Sequence, residues 1–356
     1  MELKKVAEET KAVLPAVLKS LPGFGPDVSS SHDLNGLAPL DAKECPGYSL
    51  PSGDKEAGRV GARIRVLDKD SFDAAIEMQP NYKAQMHLGN LPAAATASSN
   101  AAHISTNPTD DEEMDLDGLP LNSPASDIPS WDLSTQKSNP IPKKPQATPN
   151  FVKSTTKPVA VLNLASERHA GGGWQNGAMA QEEALCYRSS LYLSLHKSYY
   201  PLPSLSVIYS PSVLIIRSAT SAGHTLYTAP ASDLPVTSVI SVAALRHPLL
   251  TADGKKFKDD GQRAETKRKI RVSLRVAASK GHTRLVLGAL GCGVFANPPT
   301  EVAECFLEVF REKEFQGGWW EDIVFAVMDN AKGNDGGKDG SGNFGQFYRV
   351  LHDQIV

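Results

Sequence analysis

The fold turns on Val159-Ala160-Val161-Leu162-Asn163-Leu164-Ala165, followed by His169-Ala170-Gly171-Gly172-Gly173 and, after a gap of seven residues, Gln181-Glu182-Glu183. The apolar run, broken only at Asn163, reads as a buried strand, the glycines as a turn and Gln181 onward as a helix. In this arrangement the backbone can approach a ligand closely, and the free N–H groups of the first helical turn favour negative charge. Two carboxylates at such a helix start sit oddly if the ligand is anionic. Successive helical side chains point about 100° apart, so Glu182 and Glu183 cannot do the same job. Either one faces a ligand while the other holds a hydroxyl, or one simply caps the helix and complements its dipole.

Outward from this stretch the pattern alternates. The helix is expected to run from 181 to about 197, with Ala184, Leu185, Leu191, Tyr192 and Leu195 on its core face. Strand patterns follow at 207–217 (broken at Ser210-Pro211), 226–229 and 236–243, then a basic amphipathic helix at 262–279. A buried strand at 283–290 leads into a second glycine loop at 291–298. A helix with Pro299 in its first turn (299–313), a strand at 323–328 and a closing helix at 344–355 complete the chain. Toward the N-terminus, 2–21 is helical with Pro15 as a possible kink, 22–58 is mainly loop, 63–67 is a strand, and 71–78 is a helix capped by Asp68 or Asp70. Alternating strands and helices predict a three-layer α/β domain.

Residues 91–150 break the pattern. An Ala/Ser/Thr stretch, an acidic patch and a proline-dotted tract carry too little apolar surface to offset the entropy of ordering. The organisation expected is therefore an opening helix and strand–helix in 1–90, a disordered acidic and Pro-rich linker in 91–150, and the core in 151–356. The linker reads as a solvated spacer, or as carrying a partner-docking motif near 128–133.

Composition narrows the function classes. The 356 residues are 40% hydrophobic and 22% charged with a net charge of −3, which suits a soluble globular chain without a global basic field for duplex nucleic acid or membrane. No apolar signal core or span is visible. Cys45, Cys186, Cys292 and Cys305 show neither metal-ligand spacing nor a disulfide scaffold, and point to a reducing compartment, cytosol or nucleus. The nine histidines form no His-x-x-x-His or His/Cys cluster, so no metal is expected. His224 and His247 read as loop or packing residues, and Trp319-Trp320 as core, with a base-stacking platform as the alternative.

The second loop, Gly291-Cys292-Gly293-Val294-Phe295-Ala296, fits a dinucleotide Gly-x-Gly-x-x-Ala pattern after a strand. It lies late in the chain and Pro298-Pro299 intervenes before the helix, so a phosphate cradle fits better than a redox Rossmann site. Cys292 has no obvious base nearby to activate it as a nucleophile.

Together, Val161-Leu162-Asn163 through Gly171-Gly172-Gly173, then Gln181-Glu182-Glu183-Ala184-Leu185-Cys186-Tyr187-Arg188-Ser189-Ser190-Leu191, resemble microbial-type poly(ADP-ribose) glycohydrolases, whose signature is Gly-Gly-Gly, six to eight residues, then Gln-Glu-Glu. Ile208-Tyr209-Ser210-Pro211, Thr228-Ala229-Pro230-Ala231, Gly288 to Asn297 and Val324 to Asp329 extend the likeness in order across most of 151–350. The resemblance implies a macrodomain, with a mixed central sheet between helices, that hydrolyses the ribose–ribose bond of poly(ADP-ribose) mainly from the chain end. It implies Glu183 as the catalytic acid/base, with Glu182 and Asn163 holding ribose hydroxyls. Gly171, Gly172, Gly173, Gln181, Gly291, Cys292, Gly293, Val294 and Phe295 complete the expected site: the glycine loops wrap the diphosphate and Phe295 orients the terminal ribose. It implies no metal or redox cofactor, poly(ADP-ribose) or ADP-ribosylated proteins as partners, and a monomer. The long linker is a departure from close relatives and bears on the adenosine end of the site.

A single carboxylic acid can serve if it protonates the leaving ribose oxygen and then deprotonates water, with an oxocarbenium-like transition state stabilised by the substrate's own diphosphate. The helix N-terminus opposes an acid role; burial and diphosphate charge favour it. Two alternatives share the glycine loops: a non-hydrolytic ADP-ribose reader, and an esterase-type remover of single ADP-ribose units.

Overall fold

The computed structural model describes residues 2–91 and 156–356. The N-terminal helix α1 (Leu3–Lys19) runs through Pro15 and buries Val6, Ala7, Thr10 and Leu14. The 22–58 stretch, expected as loop, contributes an edge strand β1 (Ser30–Asp33), whose polar Ser-Ser-His-Asp sequence carries no strand signal. The expected strand is β2 (Ile64–Leu67), and α2 (Ser71–Met78) is capped by Asp70, whose carboxylate accepts the N–H groups of Phe72 and Asp73. A further short helix, α3 (Ala84–Asn90), was not anticipated. The linker expected at 91–150, with its docking alternative at 128–133, lies outside the described residues except for Leu91.

The core continues with β3 (Ala160–Ala165), α4 (Gln181–Arg188), α5 (Leu191–Ser194), β4 (Ser206–Leu214), β5 (Val236–Ala243), α6 (Asp260–Ser279), β6 (Arg284–Leu287), α7 (Pro299–Phe310), β7 (Asp322–Ala326) and α8 (Asn343–Leu351). The seven strands form one mixed sheet in the order β1-β4-β5-β3-β6-β7-β2. β5, β3, β6, β7 and β2 are mutually parallel, while β4 runs antiparallel to both β5 and β1. The register shift in β4 between Ser210 and Val213 falls at Pro211, which has no N–H to give a ladder.

Side chains alternate across β3. Ala160 and Leu162 pack against α6, α7 and α8; Val161 packs on the other face against α1, α2 and α4. These are the three expected layers. By the same alternation Asn163 lies on the α4 side.

Two departures have local causes. The helix opening at Gln181 ends at Arg188, because Ser189 Oγ donates to the Leu185 carbonyl and Ser190 pairs with Leu214 through both backbone and hydroxyl. Serine side chains here compete with the helical ladder. The 226–229 stretch makes only a single bridge, Arg217 to Leu226, and is not a strand.

Two buried guanidiniums tie the N-terminal elements to the core. Arg188 pairs with Asp70 and Asp73, donates to the Arg217 carbonyl, and lies 5.6 Å from the Phe72 ring centroid. Arg217 donates to Thr10 Oγ1, Glu9 and the His224 carbonyl. Removing one member of a buried ion pair leaves uncompensated charge and costs about 3–5 kcal/mol. Arg188→Met is expected to lose stability of that order in denaturant unfolding; a loss under about 1 kcal/mol would contradict the bolt.

Candidate functional site

Loops leaving the carboxyl ends of β3, β5 and β6, three neighbouring parallel strands, carry the candidate residues. The first is the glycine turn after β3. Gly171 and Gly172 have φ of 74° and 60°, a left-handed backbone that glycine adopts without strain. A Cβ on Gly172 would lie 2.3 Å from Glu183 Oε1 and 3.2 Å from Glu182 Oε2, so both carboxylates converge beneath this residue. Trp174 anchors the turn: it is buried, tilted against Tyr192 at 4.8 Å and edge-on to Tyr187 at 6.1 Å between centroids. The Tyr187 hydroxyl donates to the Ala178 carbonyl and pins the connection between the glycines and α4.

Glu183 is 8% exposed, and its Oε1 accepts the Gly173 N–H at 2.9 Å. Its Oε2 makes no hydrogen bond among the described residues. Glu182 is deeper, 2% exposed; Oε2 accepts the Ser166 N–H at 2.7 Å and Oε1 accepts Asn163 Nδ2 at 3.3 Å. The N-cap of α4 is Ala180, without a side-chain cap, so these carboxylates bind loop and strand donors rather than capping their own helix.

Burial pushes the Glu182 carboxyl up to about 8; the Ser166 N–H and the Asn163 amide oppose this, and the charge of Glu183 adds to it. Because the folded value lies above that of a free carboxyl, Glu182 contributes stability fully at acid pH, and the contribution is lost as pH rises through about 8. Unfolding measured from roughly pH 5 to 9 is expected to show the wild type losing stability across that window and Glu182→Gln following a flatter curve. Parallel curves would contradict the assignment.

Asn163 is fully buried on β3. Its Nδ2 donates to Ser241 Oγ at 2.9 Å and to Glu182, while Oδ1 is buried without a hydrogen-bond partner among the described residues. Gln181, expected among the ligand contacts, has its amide engaged by neighbouring elements. Nε2 donates to the Leu162 carbonyl and Ser71 Oγ, and Oε1 accepts the Leu164 N–H, so its amide bolts the start of α4 to β3 and α2.

The second loop follows β6. At Gly291, φ is 74° and a Cβ would lie 2.4 Å from Asn297 Nδ2 and 2.5 Å from Ala244 Cβ. Asn297 Nδ2 donates to the carbonyls of Leu245 and Gly291, tying this loop to the segment after β5. The Cys292 side chain packs into the core, and burial pushes its thiol far above the usual range, so within the loop Cys292 offers its backbone. Gly293 and Val294 are exposed, Val294 by 71%. Phe295 is half-buried, with the Arg246 guanidinium 5.7 Å from its ring centroid.

His224 and Trp319-Trp320 are buried, as expected of packing residues, while His247 is exposed in the loop after β5. Sequence reasoning missed Ser166, Ser241, Tyr187 and Arg246, which act through backbone geometry or strand pairing that no local motif encodes. Among the described residues no three His, Cys, Asp or Glu side chains are grouped to hold a metal ion. No helix among them is long and apolar enough to cross a membrane.

The family model "Microbial-type PARG, catalytic domain" matches residues 143–218, which include the glycine turn and both carboxylates. The poly(ADP-ribose) glycohydrolase of Thermomonospora curvata has a similar fold, with 22% identity, 98% of each chain covered and a TM-score of 0.57; the same values hold for that enzyme bound to the inhibitor ADP-HPD. The poly(ADP-ribose) glycohydrolase of Deinococcus radiodurans in complex with ADP-ribose is 34% identical over 54% of this chain and 75% of its own, with a TM-score of 0.42. No curated protein sequence matches the chain.

Proposed function

We infer that this chain, which belongs to the microbial-type poly(ADP-ribose) glycohydrolase family, is a glycosidase that hydrolyses ribose–ribose bonds of poly(ADP-ribose) and releases ADP-ribose. One observation carries the reading: two buried carboxylates meet under Gly172, and Glu183 is held through one oxygen by the Gly173 N–H while the other is left without a hydrogen bond among the described residues. A reader of ADP-ribose needs no such acid.

The mechanism proposed starts with Glu183 protonated. Its proton passes to the bridging ribose oxygen as the bond to the anomeric carbon breaks, giving an oxocarbenium-like centre. The Glu183 carboxylate then takes a proton from the attacking water, whose oxygen closes on the anomeric carbon, and the acid is restored. Glu182 retains a proton near neutrality, which limits charge repulsion in the pair. In this reading Gly293 and Val294, with the amides of the first glycine turn, wrap the diphosphate, and Phe295 orients the terminal ribose; the exposure of Gly293 and Val294 and the Arg246 guanidinium beside the Phe295 ring support it. Cys292 lends only its backbone.

The N-terminal elements 1–90 and the core 151–356 act as one catalytic domain, monomeric, with cleavage mainly from the chain end. The four unpaired cysteines support an intracellular, reducing location. Incubation with automodified polymer and, separately, with mono-ADP-ribosylated protein tests the activity. Free ADP-ribose from polymer alone is expected. Release from the mono-modified protein alone would support the esterase reading, and binding without release the reader.

A further inference from the structure

We propose that Ser241 is a positioning residue that anchors the Asn163 carboxamide, so that one buried oxygen is presented to a hydroxyl of the bound sugar. The proposal rests on the reading of these residues as an ADP-ribose site. Asn163 and Ser241 are paired in register across parallel β3 and β5, and both are fully buried. In-register neighbours put their side chains on the same face of the sheet, here the face covered by α4. A primary amide has two N–H donors and one carbonyl acceptor. Ser241 Oγ takes one donor at 2.9 Å and Glu182 Oε1 the other at 3.3 Å, so the orientation of the amide plane is set from two sides. That leaves Oδ1 buried with no partner among the described residues, a costly condition unless a ligand donor arrives to meet it.

Ser241 is the tighter of the two anchors and lies on a rigid central strand. Without its hydroxyl, one N–H of the amide is stranded, and the group turns to find another partner. The acceptor then leaves the position in which a sugar hydroxyl would meet it. Ser241 therefore acts through Asn163 rather than by touching the ligand.

ADP-ribose affinity measured by calorimetry for the wild type, Ser241→Ala, Ser241→Thr, Asn163→Ala and the Ser241→Ala/Asn163→Ala pair tests this, with thermal unfolding alongside. Losing one buried hydrogen bond predicts about tenfold weaker binding for Ser241→Ala. Ser241→Thr, which keeps the hydroxyl, should restore affinity to within about twofold, and Ser241→Ala should add nothing in the Asn163→Ala background. Should Ser241→Ala unfold, Ser241→Cys, which fills the site but accepts poorly, takes its place. Wild-type affinity in Ser241→Ala or Ser241→Cys, or an equal further loss on top of Asn163→Ala, overturns the proposal alone. A wild type that does not bind ADP-ribose overturns the site reading as well.

Discussion

Glu183→Gln is expected to bind ADP-ribose within a few fold of the wild type and to lose polymer turnover by roughly a thousandfold, the middle of the range for removing a general acid–base group. The amide is nearly isosteric, and its Oε1 can still accept the Gly173 N–H that now meets the carboxylate at 2.9 Å. The glycine turn and its donors therefore stay in place, and ground-state binding with them. What is lost is the proton needed by the departing ribose oxygen, an interaction made only as the bond breaks, so the loss should fall on kcat rather than KM. A matching rise in KM with little change in kcat would make Glu183 a binding residue.

Gly172→Ala should be nearly as damaging, though it adds a single methyl. Its φ of 60° imposes strain on alanine of about 1–2 kcal/mol. That is the smaller part. The new Cβ would sit 2.3 Å from Glu183 Oε1 and 3.2 Å from Glu182 Oε2, and neither carboxylate has room to retreat, since α4 is packed on β3 and pinned there by Gln181. The Glu183 side chain must leave the Gly173 amide, and displacement of about 1 Å at a reacting centre can cost on the order of a hundredfold in rate. Gly254→Ala is the control: its φ is 70° but no atom lies within 4 Å of an added Cβ, so it carries the strain without the collision. Equal activities for the two variants would mean that the turn does not form the roof of the carboxylate pair.

The sequence made the scaffold legible because its signals are local. An apolar run ending in glycines, then Gln-Glu-Glu, specifies a strand, a turn and a helix, and the alternation that follows sets three layers. Other features depend on distant partners. β1 has no apolar pattern and exists because β4 offers it an unpaired edge. The helix from Gln181 stops at Arg188 because Ser190 finds Leu214 across the chain, which no window around residue 190 reveals. Gln181 looked like a ligand contact from its place in the motif, yet its amide is consumed by β3 and α2. Cys292 sits between two glycines in the sequence, and nothing local shows that its side chain joins the core. Ser241 is an ordinary strand serine until its register opposite Asn163 is known.

Glu183 supplies a proton to a sugar leaving group in the mechanism proposed above. This transfer is tested most directly by comparing two substrates, poly(ADP-ribose) and an ADP-ribose whose leaving group is 4-nitrophenolate, which departs without protonation. Glu183→Gln is expected to lose roughly a thousandfold on polymer but far less on the nitrophenyl substrate. Equal losses on both substrates would contradict it.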